Sequence, residues 1–183
     1  MSNIRYVDSD AISYAIENCT HFAHGCNCQG DMGSGIAVQV TERLPELFDI
    51  NKAAYYEARD NGRHGTKDLL GGYSHYRFGW GIGFNLYTQY RWGRRTVYPP
   101  NFSLEAFEAA LLGMCRFICQ EPPETSRVIA MPKIGSGSAG FKWEQISPVL
   151  QRVATVFPEI TFVVCSYKPP YVKRDRWAGR IKK

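Results

Sequence analysis

Two glycine-rich loops constrain the fold of this chain most strongly, because each lies between a short apolar run and a helical pattern. The first loop occupies residues 27–37 and reads NCQGDMGSGIA, and the second occupies residues 131–141 and reads MPKIGSGSAGF. Such loops present backbone N–H groups at the positive end of a helix with no side chain in the way, which is a seat for phosphate. Two seats in one domain predict a ligand with two phosphate groups, held between the loops.

Length and composition predict one globular domain. The chain has 183 residues, of which 44% are hydrophobic and 21% charged, and both values are ordinary for a folded domain. It contains no apolar run long enough to span a membrane, and residues 1–10 lack the apolar region of a secretion signal. The six cysteines have no spacing typical of a disulfide framework. We therefore expect a reduced, cytoplasmic protein with no membrane partner.

Positive charge is concentrated at the C-terminal end. The net charge is +5, but residues 168–183 contain seven basic side chains and one acidic one, so the rest of the chain sums to −1. The body is therefore not a general binder of polyanions. The tail either contacts nucleic acid or another acidic surface, or is a solvated end that aids solubility. The second interpretation is favoured, because a short basic tail is a weak motif.

Alternating strand and helix patterns predict an α/β fold. Strands are expected at 4–7, 20–24, 83–90, 128–131 and 161–165, a helix or turn at 11–18, and helices at 36–44, 103–120 and 146–157. The helices rest on apolar residues at three- and four-residue spacing, such as Ile36, Val40 and Leu44. Residues 60–82 stay unassigned. Ligands of such sheets bind at the carboxyl ends of the strands, where both glycine loops fall.

Capping and proline residues predict where the helices begin and end. Ser103 is the expected N-cap of one helix, which Pro122 ends. Pro45 is expected to limit the helix that begins at Ile36. Pro148 is tolerable in the last helix only near its first turn.

The second loop contains a G-x-G-x-x-G pattern at 135–140, which is weighed here against better-known nucleotide motifs. A dinucleotide fold needs an acidic residue at the end of the next strand, and the strand ending at Cys165 has none. A P-loop needs Lys directly after the last glycine, where this chain has Phe141. On its own the second loop is equally compatible with a ligand-binding loop and with a tight turn that packs a helix on a strand. The presence of the first loop favours ligand binding.

The pair of loops resembles that of the macrodomains, a family of ADP-ribose-binding modules. The resemblance rests on Asn27 followed by MGSGIA at 32–37, and on AMPKIGSG at 130–137 with a tryptophan after it. The HGCN sequence at residues 24–27 resembles that of one branch of the family, which contains ADP-ribose-1″-phosphate phosphatases and terminal ADP-ribose glycohydrolases. The resemblance implies a three-layer α/β/α fold with a central mixed sheet. The macrodomain would occupy residues 1–167 and the basic tail residues 168–183.

The resemblance also implies which residues bind the ligand, and nothing in the sequence requires a cofactor or a metal. Asp10 would accept a hydrogen bond from the adenine N6 amine, with the backbone of Ala11 nearby, and Tyr167 would pack near the adenine or the proximal ribose. Asn27 would contact the hydroxyls of the distal ribose. The loop residues that would line the distal ribose and the diphosphate are Gly33, Ser34, Gly35, Ile36, Ala37, Gly135, Ser136, Gly137, Ser138, Ala139, Gly140 and Phe141.

The leading activity implied by the resemblance is hydrolysis of ADP-ribose 1″-phosphate, with Asn27, Asp31 and His24 as catalytic candidates and His75 as a further polar residue. Two alternatives stay open, namely that His24 is a hydrogen-bonded core residue and that Asp31 is an exposed turn residue. Glycohydrolases of this branch use a lysine in the middle of the chain and an aspartate in the second loop. Residues 71–76 contain no lysine, and an alanine stands at the aspartate's position. The runner-up functions are an ADP-ribosyl hydrolase acting on protein or nucleic acid, and a non-catalytic ADP-ribose reader.

Two further clusters have structural explanations that we favour. His21, His24, Cys26 and Cys28 include metal-ligand types, but Cys115 and Cys119, one helical turn apart, would supply a second pair only if the fold happened to bring them close. The cysteines are therefore better explained as small buried side chains. Aromatic residues interleave with arginines between residues 73 and 98. Such a pattern binds single-stranded nucleic acid in some proteins, but the core and the rim of a nucleotide pocket explain it more simply.

Overall fold

The structure is a computed structural model that describes residues 3–91, 101–137 and 139–166. Its strands are β1 (Ile4–Val7), β2 (His21–Asn27), β3 (Tyr73–Phe78), β4 (Gly81–Gln89), β5 (Val128–Pro132) and β6 (Thr161–Cys165). Its helices are α1 (Ala11–Glu17), α2 (Ile36–Arg43), α3 (Pro45–Asn61), α4 (Leu104–Gln120) and α5 (Trp143–Val156), with a 3₁₀ turn at Gly65–Leu69.

The strands form one mixed sheet in the order β1-β6-β5-β2-β4-β3. The pairs β1–β6, β6–β5, β5–β2 and β2–β4 are parallel, whereas β3 runs antiparallel to β4. The carboxyl ends of β1, β6, β5, β2 and β4 therefore lie along one edge. Since parallel strands need crossover connections, helices cover the faces of the sheet.

Two apolar cores lie on opposite faces of the sheet. On one face α4 and α5 pack against β-strand residues such as Phe84, Met131 and Phe162, which are fully buried. On the other face α1, α2 and α3 pack against Phe22 and Val163. Successive strand residues point to opposite faces, so neighbouring residues of one strand enter different cores. The predicted three-layer α/β/α fold with a mixed sheet is confirmed.

Several predicted elements are confirmed at their expected positions. The strands at 4–7 and 161–165 have the predicted bounds. The helix after Ser103 runs to Gln120, and the Ser103 hydroxyl accepts a hydrogen bond from the N–H of Ala106 at 3.0 Å, as an N-cap does.

Other elements differ from expectation for identifiable reasons. Pro45 ends α2 but also begins α3, a 17-residue helix that the sequence reasoning missed. Proline suits the first helical position because the N–H it lacks has no partner there anyway. The unassigned stretch before Gly83 contains β3, and β4 begins two residues earlier than predicted. Pro148 lies in the second turn of α5, further into the helix than expected, with its ring exposed.

Some predictions concern parts of the chain that the structure does not describe. Tyr167, Ser138, residues 92–100 and the basic tail at 168–183 lie outside the described residues. In the part that is described, no helix has both the length and the hydropathy of a membrane span.

Candidate ligand-binding site

The two glycine loops leave the sheet side by side. β2 and β5 are adjacent and parallel, and each loop follows the carboxyl end of its strand. Gly25 lets the second loop rest on β2, because a Cβ atom there would lie 2.7 Å from the Cγ2 atom of Ile134. The sequence placed both loops at strand ends, and the sheet order brings them together.

Backbone turns define the second loop. Gly135 has φ +82°, and a Cβ atom on it would lie 2.7 Å from the Phe102 ring. Phe141 donates its N–H to the Gly135 carbonyl at 3.1 Å, and Gly140 donates to Gly137 at 3.0 Å.

Part of the second loop's hydrogen-bonding capacity is left for a ligand. The Ser136 hydroxyl donates to the Lys133 carbonyl at 2.7 Å, so it is committed within the loop. The N–H groups of Gly135, Gly137 and Ala139 have no acceptor among the described residues. Amides without a protein partner are the groups that an anion takes.

Asn27 closes the first loop through its side chain. Its Oδ1 atom accepts from the N–H groups of Gln29 at 2.9 Å and Asp31 at 3.3 Å, and its Nδ2 atom donates to the Asp31 carbonyl at 2.7 Å. The side chain is buried. Asn27 is the last residue of β2, where the sequence predicts a contact with a ligand, and in this structure its bonds shape the loop.

The first loop ends at a helix start that no side chain caps. Gly35, with φ +61°, is the N-cap of α2, and no side chain in the described part of the chain accepts from the first turn. The first-turn amides of Ile36 and Ala37 are therefore available to a ligand. Gly33, Ser34 and Gly35 are exposed in front of them.

Asp31 is exposed in the first loop. Its Oδ1 atom accepts from the N–H of Gly33 at 3.0 Å, a local bond that folds the loop back on itself. This geometry fits the turn-residue alternative, and it also leaves a carboxylate in solvent next to the glycine run.

His24 lies within the core. It is fully buried, its Nε2 atom lies 2.7 Å from Oδ1 of Asn85, and its ring stacks on Phe22. The amide of Asn85 donates to the Leu47 carbonyl and to the Ser74 hydroxyl, so its Oδ1 atom accepts and His24 carries its proton on Nε2. Burial lowers the pKa of His24 to about 4, although the bond with Asn85 acts in the opposite direction. The geometry favours the core alternative for His24 over a catalytic one.

The further candidate His75 also packs away from the loops. Its ring lies 4.4 Å from that of Phe117 on α4, and burial lowers its pKa. Ala139, at the position where glycohydrolases of the resembled branch have aspartate, is a buried member of the α4–α5 core. Phe141 packs on Phe102.

Asp10 stands at the carboxyl end of β1 and caps α1. Its Oδ1 atom accepts from the N–H of Ser13 at 2.7 Å and pairs with Nη1 of Arg43 at 2.7 Å. Burial opposes ionisation of Asp10, but the bonds from Ser13 and Arg43 outweigh it and lower the pKa of the carboxyl. Ala11, whose backbone was expected near the adenine, is buried behind it.

Sequence reasoning missed Arg43 as a partner of Asp10. Arg43 is the last residue of α2, the helix that begins at the first loop. At 1.5 Å per residue its eight residues span about 12 Å. One helix thus links the uncapped amides at one end to the Asp10 carboxylate at the other. A basic residue at a helix end is too common a signal to have identified this pair.

Metal-ligand residues do not converge in the described ranges 3–91, 101–137 and 139–166, where no three His, Cys, Asp or Glu side chains could hold one ion. All six cysteines are unpaired thiols. Burial raises the pKa of Cys28 to about 12 and that of Cys165 to about 11, which makes both unreactive near neutral pH.

Comparison with known proteins gives several relatives by sequence, although no protein-family model matches the chain. An uncharacterized 17.5 kDa protein of Enterobacteria phage T4 is 29% identical over 91% of this chain and 97% of its own length. ADP-ribose 1″-phosphate phosphatase of the yeast Meyerozyma guilliermondii is 24% identical over 83% of this chain and 94% of its own. DNA ADP-ribosyl glycohydrolase of Mycobacterium bovis is 28% identical over 79% of this chain but only 36% of its own length.

Solved structures share the fold. The macrodomain of Mycobacterium tuberculosis DarG matches with a TM-score of 0.67 and 23% identity, over 91% of this chain and 98% of that one. Thermosipho africanus DarTG in complex with ADP-ribose matches with a TM-score of 0.68 and 16% identity, over 94% of this chain and 43% of that one. At these low identities the comparison shows a shared fold only.

Proposed function

We propose that this chain, whose fold is that of the macrodomains, binds ADP-ribose and hydrolyses ADP-ribose 1″-phosphate to ADP-ribose and phosphate. The observation that carries the proposal is the adjacency of the two glycine loops at the carboxyl ends of β2 and β5. The second-loop amides that have no acceptor among the described residues, together with the start of α2, supply donors from two sides. A diphosphate fits that arrangement, because its oxygens accept hydrogen bonds and are negatively charged.

The adenosine end of the ligand lies, in this proposal, at Asp10. An ionised carboxylate only accepts hydrogen bonds, and the exocyclic amine of adenine only donates them. Asp10 binds the side chain of Arg43, which lies at the opposite end of α2 from the first-turn amides. A ligand with a base at one end and a diphosphate further along matches that order of groups.

The 1″-phosphate lies in this proposal at the first loop, beside Asn27 and Asp31. Loop amides donate hydrogen bonds that stabilise the charge on the phosphoryl oxygens, and Asp31 takes a proton from the attacking water. The new bond joins the water oxygen to phosphorus, the bond to the ribose oxygen breaks, and the proton passes to that oxygen. His24 has no part in this scheme, since it is buried and neutral.

A second candidate function is removal of ADP-ribose from DNA or protein. It is favoured by the sequence relative whose name is DNA ADP-ribosyl glycohydrolase. Against it stand the alanine in the second loop and the absence of lysine from residues 71–76. A third outcome, a reader without turnover, follows if the Asn27 side chain stays committed to its loop bonds.

Two measurements on one preparation test the proposal. Calorimetry with ADP-ribose measures binding, and an assay of phosphate release from ADP-ribose 1″-phosphate measures turnover. Binding with release supports the phosphatase. Binding without release leaves the reader or the hydrolase of another linkage, and absence of binding overturns the proposal.

Asp31→Asn tests the catalytic assignment. The amide oxygen still accepts from the Gly33 N–H, so we expect ADP-ribose affinity to persist while turnover falls by about 100-fold, as for loss of a general base. Asp49→Asn, at an exposed carboxylate on α3, is the matched control and should keep full turnover.

Asn27→Ala should impair both affinity and turnover, because it removes three bonds that shape the loop.

A further inference from the structure

Arg43 holds the Asp10 carboxylate in one orientation. Its Nη1 atom lies 2.7 Å from Oδ1 of Asp10, and its Nη2 atom donates to the Ser13 hydroxyl at 2.9 Å. The backbone N–H of Ser13 binds the same Oδ1 atom at 2.7 Å. Two donors on one oxygen, from two different helices, fix the plane of the carboxylate.

The second oxygen of Asp10 is left for a ligand. The bonds from the Ser13 N–H and from Nη1 of Arg43 both fall on Oδ1, and the Asp10 side chain is 13% exposed against 35% for Arg43. We therefore assign Oδ2 to an incoming base. Because the Arg43 guanidinium and the Ser13 amide bind Oδ1, a base that approaches Oδ2 meets a carboxylate oxygen, which accepts hydrogen bonds.

We propose that Arg43 is a positioning residue that makes the site select a 6-amino purine over a 6-oxo purine. The inference rests on the proposed binding of an adenine nucleotide and names the residue that sets its base specificity. Adenine presents an amine donor at position 6, whereas hypoxanthine presents an oxygen acceptor there. An ionised Asp10 accepts from the first and repels the second.

Arg43 also helps to keep Asp10 ionised, and the site therefore selective, at acidic pH. Burial of Asp10 favours its neutral form, and Arg43 is one of the groups that oppose this, together with the Ser13 bonds. A protonated Asp10 has an O–H that donates to the hypoxanthine oxygen, so protonation removes the preference. Among the described residues, the other titratable group that interacts with Asp10 is the Cys165 thiol at the end of β6. Burial keeps that thiol neutral, so it supplies no compensating charge.

The test compares ADP-ribose with its hypoxanthine counterpart by calorimetry at pH 8 and pH 5. In the unmodified protein we expect adenine to be preferred by about 10- to 100-fold at both pH values, as for a hydrogen bond to a charged group. In Arg43→Met we expect a smaller preference at pH 8 and a further decrease of the preference at pH 5. Arg43→Lys keeps a positive charge and should restore the flat pH profile, although Lys lacks the second nitrogen that reaches Ser13.

Arg77→Met is the matched control. Arg77 pairs with Glu121 at the same 2.7 Å distance, on β3, far along the sheet from Asp10. Its loss should leave base preference and pH profile unchanged.

The outcomes separate this inference from the proposed function. If the unmodified protein binds both ligands equally, or if Arg43→Met keeps the preference and its flat pH profile, the role of Arg43 is overturned while ADP-ribose binding stands. If the unmodified protein binds neither ligand, the proposed function and the inference fall together.

Discussion

His24 shows how one residue's environment decides its chemistry. Its sequence context, beside the first glycine loop, is compatible both with a catalytic role and with a hydrogen-bonded position in the core. In the structure it is fully buried and donates to Asn85, which comes 61 positions later in the chain. An imidazole in that setting stays neutral at ordinary pH, because burial penalises its charged form. The residue thus joins β2 to β4.

The low pKa of His24 predicts a loss of stability in acid. The unfolded chain takes up a proton as the pH falls below about 6.5, whereas the folded protein, with a His24 pKa of about 4, does not. Stability therefore decreases between pH 6.5 and pH 4. The His24 share is about 2 kcal/mol between pH 7 and pH 5. Burial also lowers the pKa values of His21 and His75, which adds to the effect.

Urea denaturation at pH 7 and pH 5 measures this dependence. In His24→Gln, whose amide still donates to Asn85, we expect the difference between the two pH values to shrink by the His24 share. His64→Gln, at an exposed histidine, should retain the full difference. An equal difference in His24→Gln and the unmodified protein would mean that His24 titrates normally.

At the scale of elements, backbone conformation and packing give the second loop its shape. Gly135 combines a positive φ with close contact to Phe102 and Ile146, so a side chain there is both strained and obstructed. Gly137, two residues later, has an ordinary φ and open space where a Cβ atom would stand. The fold of the loop therefore requires glycine at position 135, whereas it leaves space for a side chain at position 137.

Alanine substitutions at these positions should differ in their effect on stability. Gly135→Ala is expected to lower the free energy of unfolding by about 1–3 kcal/mol and to weaken ADP-ribose binding, because the loop must shift. Gly137→Ala should leave stability near its original value. If it still weakens binding, the methyl group meets the ligand directly. Thermal unfolding and calorimetry on both variants provide the comparison, and equal stability losses would contradict the assignment.

At the scale of the whole molecule, charge separates the body from the tail. Residues 168–183 sum to +6 and the rest of the chain to −1, and we propose that the ligand-binding domain comprises residues 1–167. We expect a near-neutral body to bind a ligand through local donors, whereas a basic tail would act at longer range and be screened by salt.

Deletion of residues 168–183 tests that division. We expect stability and ADP-ribose affinity to stay unchanged. Any binding of a single-stranded oligonucleotide at low salt should disappear with the tail, and its dependence on salt concentration reports the number of charges involved. A large loss of ADP-ribose affinity would show instead that the tail contributes to the site.

Local sequence patterns predicted much of the fold and the identity of the loops. Apolar runs gave the bounds of β1 and β6, and the capping serine gave the start of α4, because these signals depend on neighbouring residues. The prolines were ambiguous, since the same residue that stops one helix suits the first turn of the next. Pro45 does both, and the sequence pattern alone did not show that a second helix begins there.

The amino-acid sequence by itself determined that two glycine loops follow strands and that an acidic residue follows the first strand. Only the tertiary structure decided that β2 lies beside β5, that Asp10 meets Arg43 and that His24 meets Asn85. These partners are 33 and 61 positions apart, too far for any local signal. Sheet order and burial set them, and burial also determines whether a histidine is a base or part of the core.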